Sequence, residues 1–518
     1  MNTAAPETFA QLLQERARTH PDFRILTFVD EASGETETRT FDQLLENAGR
    51  LATYLQENGF TAGDRFGVLL ANHPQIVEAL TAASLIGAVM VPIDPRTRGD
   101  KLAFILGDSQ CRGIICADYN RDNVEQVLED APVEWVMCLG QQYENEMMGL
   151  AVHAGDPEVN ATSPLQVLYT SGTTGDPKGI LKFNAELLTV AGALPVVMGI
   201  QPDDVLYSGL SLTHGNAQVF TLGAALGAVV PAVFSRKFTK SRMWQTIRNH
   251  SCTVFTLLGG MTTAIYSEPE KPDDADNPVR LVVSAGMPQA IWEDFARRFD
   301  ATLFEVYGTA EGGLFWNDGS GPVGSFGNIN NTLLHSSRVV DELGNDCAPG
   351  QMGELIWQHS SGAQVSVSYL NKPEASAAKT EGGWFRTGDI VHADADGWLF
   401  FDYRAGGGIR RNGDFINPGF VEKVIAEHPA VNDVFVYGVP SKNGVPGEKD
   451  VVAAIVPAAG GDFPAEDVFA SCLGKLEANF IPSYLQLLEE IPKTASEKPQ
   501  ERFLLERFAV DAQGVYCA

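Results

Sequence analysis

Three adjoining stretches decide the fold class: RFGVLLA at 65–71, IVEALTAASLIGAV at 76–89 and MVPIDP at 90–95. The outer two are short apolar runs, and the middle one is long enough for a buried helix. A second cycle follows, with a helical pattern in KLAFILGDSQ at 101–110 and a strand pattern in GIICA at 113–117. Strands that alternate with helices of this length predict βαβ units around a parallel sheet.

The same alternation continues through ATLFEVYG at 301–308 and passes into a β-rich stretch, spaced by Gly and Pro, at 321–400. The pattern changes at DYRAGGGIRRNGDF, residues 402–415, which contains four glycines and three arginines. Consecutive glycines absorb large backbone rotations without steric cost, so this segment suggests a hinge, with a tight surface turn as the alternative. We therefore expect a large α/β domain over residues 1–403, with βαβ-type sheets, packed helices and a β-rich subdomain.

A small α+β pattern occupies the rest of the chain, residues 404–518. It contains helical patterns near 419–428 and 464–477, the strand patterns NDVFVYGV and DVVAAIVP, and then a last strand and helix. We expect these elements to form a small C-terminal domain that moves about the glycine-rich segment.

The composition limits the kinds of function. The chain has 66 acidic and 37 basic residues, a formal net charge of −29 at pH 7. Such an acidic protein lacks the basic surface that generic nucleic-acid or anionic-membrane binding requires. The sequence shows neither a signal-peptide pattern nor an apolar run of about 18 residues, and its seven scattered cysteines do not form a disulfide framework. We expect a cytoplasmic protein without a membrane span or a nucleic-acid partner.

The segment with the most specific chemistry is YTSGTTGDPKG at 169–179, which follows the apolar run LQVLY. Its glycines allow backbone N–H groups to approach an anion closely, its Ser and Thr hydroxyls add donors, and Lys178 adds a cation. These are the requirements of a phosphate-binding loop. The spacing differs from that of a P-loop, since Pro177 precedes the lysine.

This loop resembles the phosphate-binding signature of the adenylate-forming (ANL) superfamily, which includes acyl-CoA synthetases, luciferases and the adenylation domains of peptide synthetases. Other segments resemble further motifs of that superfamily and occur in its order. They are VPIDP at 91–95, LSLTHGNAQ at 210–218, EVYGTAEGG at 305–313, WFRTGD at 384–389, DYRAGGGIRRNGDFINPGFVE at 402–422 and PKTASEKPQ at 492–500. The segment HGNAQ is most similar to the branch of carnitine/crotonobetaine-CoA ligases and related acyl-CoA synthetases.

The resemblance implies a two-step reaction in one site. A carboxylate attacks the α-phosphate of ATP to give acyl-AMP and pyrophosphate, and the thiol of CoA then displaces AMP. The first step accumulates negative charge, which fixed cations and Mg²⁺ stabilise. By resemblance, Lys498 is the catalytic lysine, Glu311 and Thr174 hold the metal, and His214 lies between the acyl pocket and the pantetheine tunnel. A histidine packed in the core is the alternative for His214.

The resemblance also assigns residues to three ligands. The nucleotide-binding residues are Thr170, Ser171, Gly172, Thr173, Thr174, Gly175, Lys178, Glu305, Tyr307, Gly308, Thr309, Asp389 and Arg404. Tyr307 is expected to stack on adenine with Glu305 at its edge, while Asp389 and Arg404 bind the ribose. The CoA-binding residues are Arg410, Arg411 and Gly413. The acyl-pocket residues are His214, Asn216, Ala217, Gly259, Gly260, Ala285 and Gly286, and the glycines among them suggest room for a bulky or branched acid.

Three positions depart from the superfamily pattern. Ala310 replaces the usual Thr before the metal-binding Glu, Gly406 occupies the usual hinge position of Asp or Lys, and Glu497 replaces the usual Gly before the catalytic lysine. We expect an ATP-dependent acid–CoA ligase, in which Thr309 takes over the missing hydroxyl contact. Two alternatives remain open: an enzyme that loads a carrier-protein phosphopantetheine, and a weakened acyl-AMP or nucleotide-binding protein. A homodimer also remains open.

Overall fold

The computed structural model describes the chain except residues 1–4, 171–176, 332–334, 342, 362–364, 405–408, 413, 417, 443–447, 459–462, 493–498 and 500. Two mixed sheets and their helices form the large α/β unit, a five-stranded antiparallel sheet packs beside them, and a smaller α+β unit follows. This arrangement confirms the expected fold class. In the described part of the chain, no helix combines the length and apolar character needed to cross a lipid bilayer.

The first sheet has eight strands, and its inner strands are nearly continuous apolar runs. Strands covered on both faces have this composition because helices pack against each side. In spatial order the strands are Gly312–Asn317, Thr302–Thr309, Leu281–Ala285, Val254–Leu258, Leu206–Ser208, Ala232–Ser235, Arg24–Val29 and Thr36–Thr40.

The second sheet has six strands and contains the stretches that decide the fold class. Its strands in spatial order are Trp135–Cys138, Cys111–Cys116, Arg65–Leu69, Val89–Ile93, Pro164–Thr170 and Lys178–Phe183. The first four neighbouring pairs are parallel, and the last two strands form an antiparallel hairpin. The helix between Arg65–Leu69 and Val89–Ile93 begins at Pro74 and ends before Gly87, whose φ of 71° suits a left-handed cap. The predicted βαβ unit is therefore confirmed.

The large unit contains helices of very different length, and most of them cover the sheets. The α-helices are Phe9–Thr19, Phe41–Glu57, Pro74–Ile86, Gly99–Ser109, Arg121–Glu125, Gln141–Met147, Asn184–Val197, Ala224–Ala228, Met243–Asn249, Gly259–Tyr266, Trp292–Phe299 and Pro373–Lys379. The short 3₁₀ segments are Asp118–Asn120, Leu128–Asp130, Gln289–Ile291 and Glu381–Gly383. A π-helical segment, Ala217–Gly223, directly follows the histidine-containing stretch, and such segments are frequent at functional sites.

The β-rich stretch forms a separate antiparallel sheet, as the sequence predicts. Its strands in spatial order are Ser325–Asn328, Trp398–Arg404, Phe385–Ala393, Gly353–His359 and His335–Val340. The inner face packs around Leu355, Trp357, Phe385 and Leu399. Along the chain, the last strand of this sheet is Trp398–Arg404. It ends next to the segment where the sequence places the hinge.

The C-terminal unit begins with a hairpin of Ile409–Arg411 and Asp414–Ile416. A four-stranded sheet follows, with strands Val431–Pro440, Lys449–Pro457, Tyr484–Leu487 and Val515–Cys517, and its helices are Pro418–Ala426, Ala465–Cys472 and Glu501–Arg507. Two expectations were incomplete. The helix predicted near 464–477 ends at Cys472, because Leu473 is extended and Gly474 has a φ of 85°. The sheet also gains the terminal strand Val515–Cys517, whose three residues are too few to show a period.

The small unit packs against the large one at the helix Gly99–Ser109. Lys101 Nζ lies 2.5 Å from Glu477 Oε1 and 5.4 Å from the centre of the Phe480 ring. Arg98 adds a long hydrogen bond from its guanidinium to the carbonyl oxygen of Leu476, at 3.4 Å. These contacts define the arrangement in which the C-terminal hairpin faces the large unit.

Candidate active site

A cavity of about 1190 Å³ lies where the first sheet, the strand that begins at Lys178, the antiparallel sheet and the C-terminal hairpin meet. Its walls combine residues from the carboxyl ends of parallel strands with residues of the hairpin, a usual position for ligand sites in α/β proteins. Among its lining residues are Lys178, His214, Gly259, Ala285, Gly286, Glu305, Tyr307, Gly308, Thr309, Glu311, Asp389 and Arg410. The structure thus brings twelve of the sequence-predicted residues together at one cavity.

In the sequence, the predicted phosphate-binding segment stands between two strands of the six-stranded sheet, Pro164–Thr170 and Lys178–Phe183. Thr170 and Lys178 are cross-strand partners at the point where these strands separate. The predicted residues Ser171, Gly172, Thr173, Thr174 and Gly175 lie outside the described residues. Lys178 begins its strand and faces the cavity, so its ammonium group stands at the base of the loop.

Glu311 lines the same cavity and lies in the turn between the strands Thr302–Thr309 and Gly312–Asn317 of the first sheet. Its carboxylate oxygen Oε1 accepts a hydrogen bond of 2.6 Å from the hydroxyl of Tyr369, and the Tyr369 ring lies 5.3 Å from Lys178 Nζ. Carboxylate oxygens are the ligands that Mg²⁺ prefers. The donor chemistry at Glu311 therefore fits a magnesium ion bound with nucleotide phosphates.

Ala310 and Thr309, the two residues before Glu311, show the surroundings of the departure at residue 310. Ala310 lines the cavity and packs beside the apolar core of the antiparallel sheet. The Thr309 hydroxyl donates to the carbonyl oxygen of Gly312 at 2.9 Å. Its proton is thus engaged within the turn, and Thr309 cannot donate to a phosphate in this conformation.

Tyr307 and Asp389 form the side of the cavity expected to hold the nucleoside. The Tyr307 hydroxyl donates to Asp389 Oδ2 at 2.6 Å, and its ring packs 4.6 Å from the Phe326 ring. Asp389 is the cross-strand partner of Arg404 in the antiparallel sheet, which places the two predicted ribose ligands side by side on the backbone. A flat aromatic ring beside a carboxylate is suited to a base and its ribose hydroxyls.

Glu305 is buried beneath the same wall and has a local structural role. Its Oε1 accepts hydrogen bonds from the backbone N–H groups of Gly286, at 2.5 Å, and Met287, at 3.1 Å. Burial raises the pKa of Glu305 to about 8, although these hydrogen bonds and the Arg410 guanidinium act in the opposite direction. The carboxyl group therefore links the strand Thr302–Thr309 to the turn that follows the strand Leu281–Ala285, and its burial favours the protonated form.

His214 does not match the alternative of a packed core histidine. Its side chain is 51% exposed, it lines the cavity, and its Nε2 lies 3.5 Å from Asp94 Oδ2. Arg96 in turn holds both carboxylate oxygens of Asp94 at 2.9 Å. The ion pair of Arg96 with Asp94 thus places a carboxylate beside the imidazole at the cavity wall.

Arg410 occupies the space that the glycines of the acyl pocket leave open. A Cβ atom at Gly259 or at Gly286 would overlap the Arg410 guanidinium, which lies 3.4 Å from the Gly286 carbonyl oxygen. Buried Glu448 supports the arginine, with Oε1 3.7 Å from Arg410 Nε. In this arrangement the Arg410 side chain fills the space beside Gly259 and Gly286, and the expectation that these glycines leave room for a bulky acid stays a prediction.

Several predicted residues lie away from the cavity lining. Arg411 donates to the carbonyl oxygens of Asn479 and Ile481, at 3.2 and 2.7 Å, and so holds a loop of the small unit. Asn216 and Ala217 stand at the start of the π-helical segment behind the wall, and Gly260 lies within the helix Gly259–Tyr266. Lys498 and Gly413 lie outside the described residues.

The cavity residues that sequence reasoning missed include Tyr369, Glu448, His392 and Asp402. The last two form a pair, with His392 Nδ1 2.9 Å from Asp402 Oδ2. Single tyrosines, glutamates and histidines occur on most protein surfaces, so no spacing rule distinguishes these four. The one sequence signal that could have found His392 is its position three residues after WFRTGD. Glu448, in the small unit, has no such neighbouring motif.

Comparison with known proteins agrees with this geometry. Residues 13–370 match the model of the AMP-binding enzyme family, and residues 421–498 match that of the AMP-binding enzyme C-terminal domain. Medium/long-chain-fatty-acid–CoA ligase FadD17 of Mycobacterium tuberculosis is 30% identical over 87% of this chain and 87% of its own. Steroid-22-oyl-CoA synthetase of Rhodococcus jostii is 30% identical over 90% of this chain and 86% of its own. Crotonobetaine/carnitine–CoA ligase of Salmonella typhimurium is 24% identical over 96% of this chain and 99% of its own.

Solved structures share the fold. o-Succinylbenzoate CoA synthetase of Bacillus subtilis, as a double mutant bound to the product analogue OSB-NCoA, matches with a TM-score of 0.81, at 24% identity and coverage of 96% and 98%. The same enzyme in complex with the acyl-adenylate OSB-AMP matches with a TM-score of 0.66, at the same identity and coverage. The expected superfamily and the likeness to carnitine/crotonobetaine-CoA ligases are confirmed. The chain belongs to the AMP-binding enzyme family and, within it, to the acyl-CoA ligases.

Proposed function

We propose that this ligase activates an extended or bulky apolar carboxylic acid with MgATP and transfers the acyl group to CoA. The observation that carries the proposal is the convergence of Lys178, Glu311 and Asp389 with Arg410 of the C-terminal hairpin in one cavity. Ligand pockets for drug-sized molecules occupy about 300–1,000 Å³. A cavity of about 1190 Å³ is thus large enough for an adenylate together with a sizeable acyl group.

The described residues suggest a division of labour in adenylation. Lys178 places a positive charge at the base of the phosphate loop, where charge develops on the reacting phosphate. Asp389 and Tyr307 form the nucleoside side, so the α-phosphate is expected between them and Lys178. Glu311 would hold Mg²⁺, which neutralises phosphate charge when bound. Lys498, from its sequence context, is proposed to contact the carboxylate and the α-phosphate.

The acyl side is proposed from the relatives and from the wall around His214. FadD17 acts on medium- and long-chain fatty acids and the Rhodococcus relative on a steroid acid, according to their names. The Arg410 side chain overlies Gly259 and Gly286 in this structure, so this side chain must move before a bulky acyl group can use that space.

The arrangement of the small unit supports the thioester-forming half-reaction. The chain matches o-succinylbenzoate CoA synthetase better in its OSB-NCoA complex than in its OSB-AMP complex, with TM-scores of 0.81 and 0.66. Identity is 24% in both comparisons, and we ascribe the difference in TM-score to the arrangement of the two units. We assign the present arrangement, with the C-terminal hairpin in the cavity, to the thiol-accepting stage.

The test is acid-dependent ATP–pyrophosphate exchange across fatty, carnitine-like, aryl and steroid acids, followed by mass analysis of thioesters. We expect exchange with fatty or steroid acids and an acyl-CoA product. Lys498→Ala should abolish exchange, whereas Lys475→Ala, a matched lysine in an exposed pair with Glu427, should not. Exchange only with small polar acids would refute the substrate class. Acylation of a carrier protein but not of CoA would favour the loading alternative.

A further inference from the structure

Tyr369 contacts two oppositely charged residues that line the cavity, Lys178 and Glu311. Its hydroxyl donates to Glu311 Oε1 at 2.6 Å, and its ring lies 5.3 Å from Lys178 Nζ. The side chain is 5% exposed and lines the cavity. A single aromatic residue therefore joins the cationic and the anionic side of the expected phosphate site.

The backbone holds this tyrosine in a defined place. Residues 368–370 lie antiparallel to the strand that begins at Lys178, with hydrogen bonds of 2.9 Å from Leu181 N to Ser368 O and 2.8 Å from Leu370 N to Gly179 O. The Tyr369 N–H also donates to Ser376 Oγ at 2.9 Å. An isolated antiparallel bridge between Ile180 and Tyr369 thus fixes Tyr369 beside the strand that carries Lys178.

The two contacts have a physical consequence for the charges. Lys178 and Glu311 have opposite charges and face the same cavity, so a direct pair between them would neutralise both before a nucleotide arrived. In the structure each contacts Tyr369 instead: the ammonium group lies near the aromatic ring, and the carboxylate accepts the phenolic proton. A hydrogen bond to a carboxylate is stronger and more directional than a neutral one.

We propose that Tyr369 is a positioning residue for adenylation. Its ring holds the Lys178 ammonium and its hydroxyl holds the Glu311 carboxylate, so that both groups are separated and oriented toward the triphosphate. This inference rests on the proposed function of the cavity and adds a residue that acts through Lys178 and Glu311. Binding of nucleotide and the first half-reaction should depend on Tyr369, whereas the second half-reaction should not.

The first test is Tyr369→Phe, which removes the hydroxyl and keeps the ring. The affinity for the non-hydrolysable analogue AMP-PCP with Mg²⁺, measured by titration calorimetry, should fall about tenfold, as expected for one lost charge-assisted hydrogen bond. The Mg²⁺ concentration for half-maximal ATP–pyrophosphate exchange should rise. Tyr369→Leu should weaken binding further, because it also removes the ring beside Lys178.

A double-mutant cycle with Glu311→Gln identifies the route of the effect. If the hydroxyl acts through Glu311, adding Tyr369→Phe to Glu311→Gln should change AMP-PCP affinity by less than about twofold. Full additivity of the two losses would overturn the proposal, because it would mean that Tyr369 acts elsewhere. Calorimetry keeps the cycle measurable even where exchange activity is lost.

The control is Tyr143→Phe. Tyr143 is buried in the helix Gln141–Met147, and its hydroxyl has no hydrogen-bond partner within the described residues. This variant should bind AMP-PCP like the wild type. Acyl-CoA formation from supplied acyl-AMP should change less than about twofold in Tyr369→Phe; an equal loss in both half-reactions would refute positioning for adenylation. Wild-type exchange tests the proposed function separately, because it requires no variant.

Discussion

The raised pKa of Glu305 leads to a quantitative prediction about the free energy of unfolding. Burial raises the pKa of this carboxyl group from its ordinary value of 4.5 to about 8 in the folded protein. Above pH 4.5 the unfolded chain releases the proton while the folded chain keeps it, so the free energy of unfolding decreases as pH rises toward 8. Each unit of difference between the folded and unfolded pKa corresponds to about 1.4 kcal/mol. The free energy of unfolding therefore falls by on the order of 4 to 5 kcal/mol across this range.

The substitution Glu305→Gln tests this loss of stability. Glutamine keeps the shape of the side chain and an oxygen that can accept a hydrogen bond from the Gly286 N–H. Urea unfolding of both proteins should be followed from pH 5 to pH 8. We expect the wild type to lose stability relative to the variant across this range, by several kcal/mol at pH 8. Infrared spectroscopy should also show a protonated-carboxyl band at pH 7 in the wild type that is absent in the variant.

Parallel stability profiles of the two proteins would refute the reasoning, because they would mean that Glu305 is ionised when folded. A substitution of Arg410 tests the same pKa independently. Its guanidinium lowers the pKa of Glu305, so Arg410→Ala should move the loss of the infrared carboxyl band to higher pH. A neutral Glu305 would also avoid repulsion of a nucleotide phosphate entering the same cavity.

Three further predictions concern the remaining contacts. Arg410→Ala should slow acyl-CoA formation from supplied acyl-AMP by about tenfold and change ATP–pyrophosphate exchange less than about twofold; equal effects on both steps would contradict the assigned arrangement. Asp389→Asn, which weakens the pair with Tyr307 at 2.6 Å, should raise KM for ATP about tenfold, and an unchanged KM would exclude Asp389 from the nucleotide site. Asp274→Asn breaks the buried pair with Arg298 at 2.7 Å and should lower the free energy of unfolding by about 3 to 5 kcal/mol in urea titrations, whereas a loss below about 1 kcal/mol would mean that the pair is solvated.

Much of the fold could be predicted because its information is local. The alternation of apolar strands and an apolar helix between residues 65 and 95 reappears as Arg65–Leu69, Pro74–Ile86 and Val89–Ile93. Regular periods of two and 3.6 residues encode which face of an element is buried, so length and spacing suffice. Short elements without a full period, such as the strand Val515–Cys517, escape this reasoning.

The candidate site could be predicted only in part. Glycine and hydroxyl groups at fixed spacing predict the phosphate loop, and Lys178, Tyr307 and Glu311 lie at the cavity because they stand in such segments. The role of Glu305 was harder to foresee, since its partners Gly286 and Met287 follow a different strand, Leu281–Ala285, and are distant in the sequence. Its protonation depends on burial, which is a property of the packed cavity.

By itself, the sequence determined the α/β class, the order of the two units and the chemical character of the phosphate loop, because each follows from residues close together in the chain. Only the tertiary structure decided which distant groups meet. It placed Arg410 over Gly259 and Gly286, and it joined Tyr369 to Lys178 and Glu311. Such contacts depend on how sheets and units pack, and no local period records the packing of residues that are far apart in the chain.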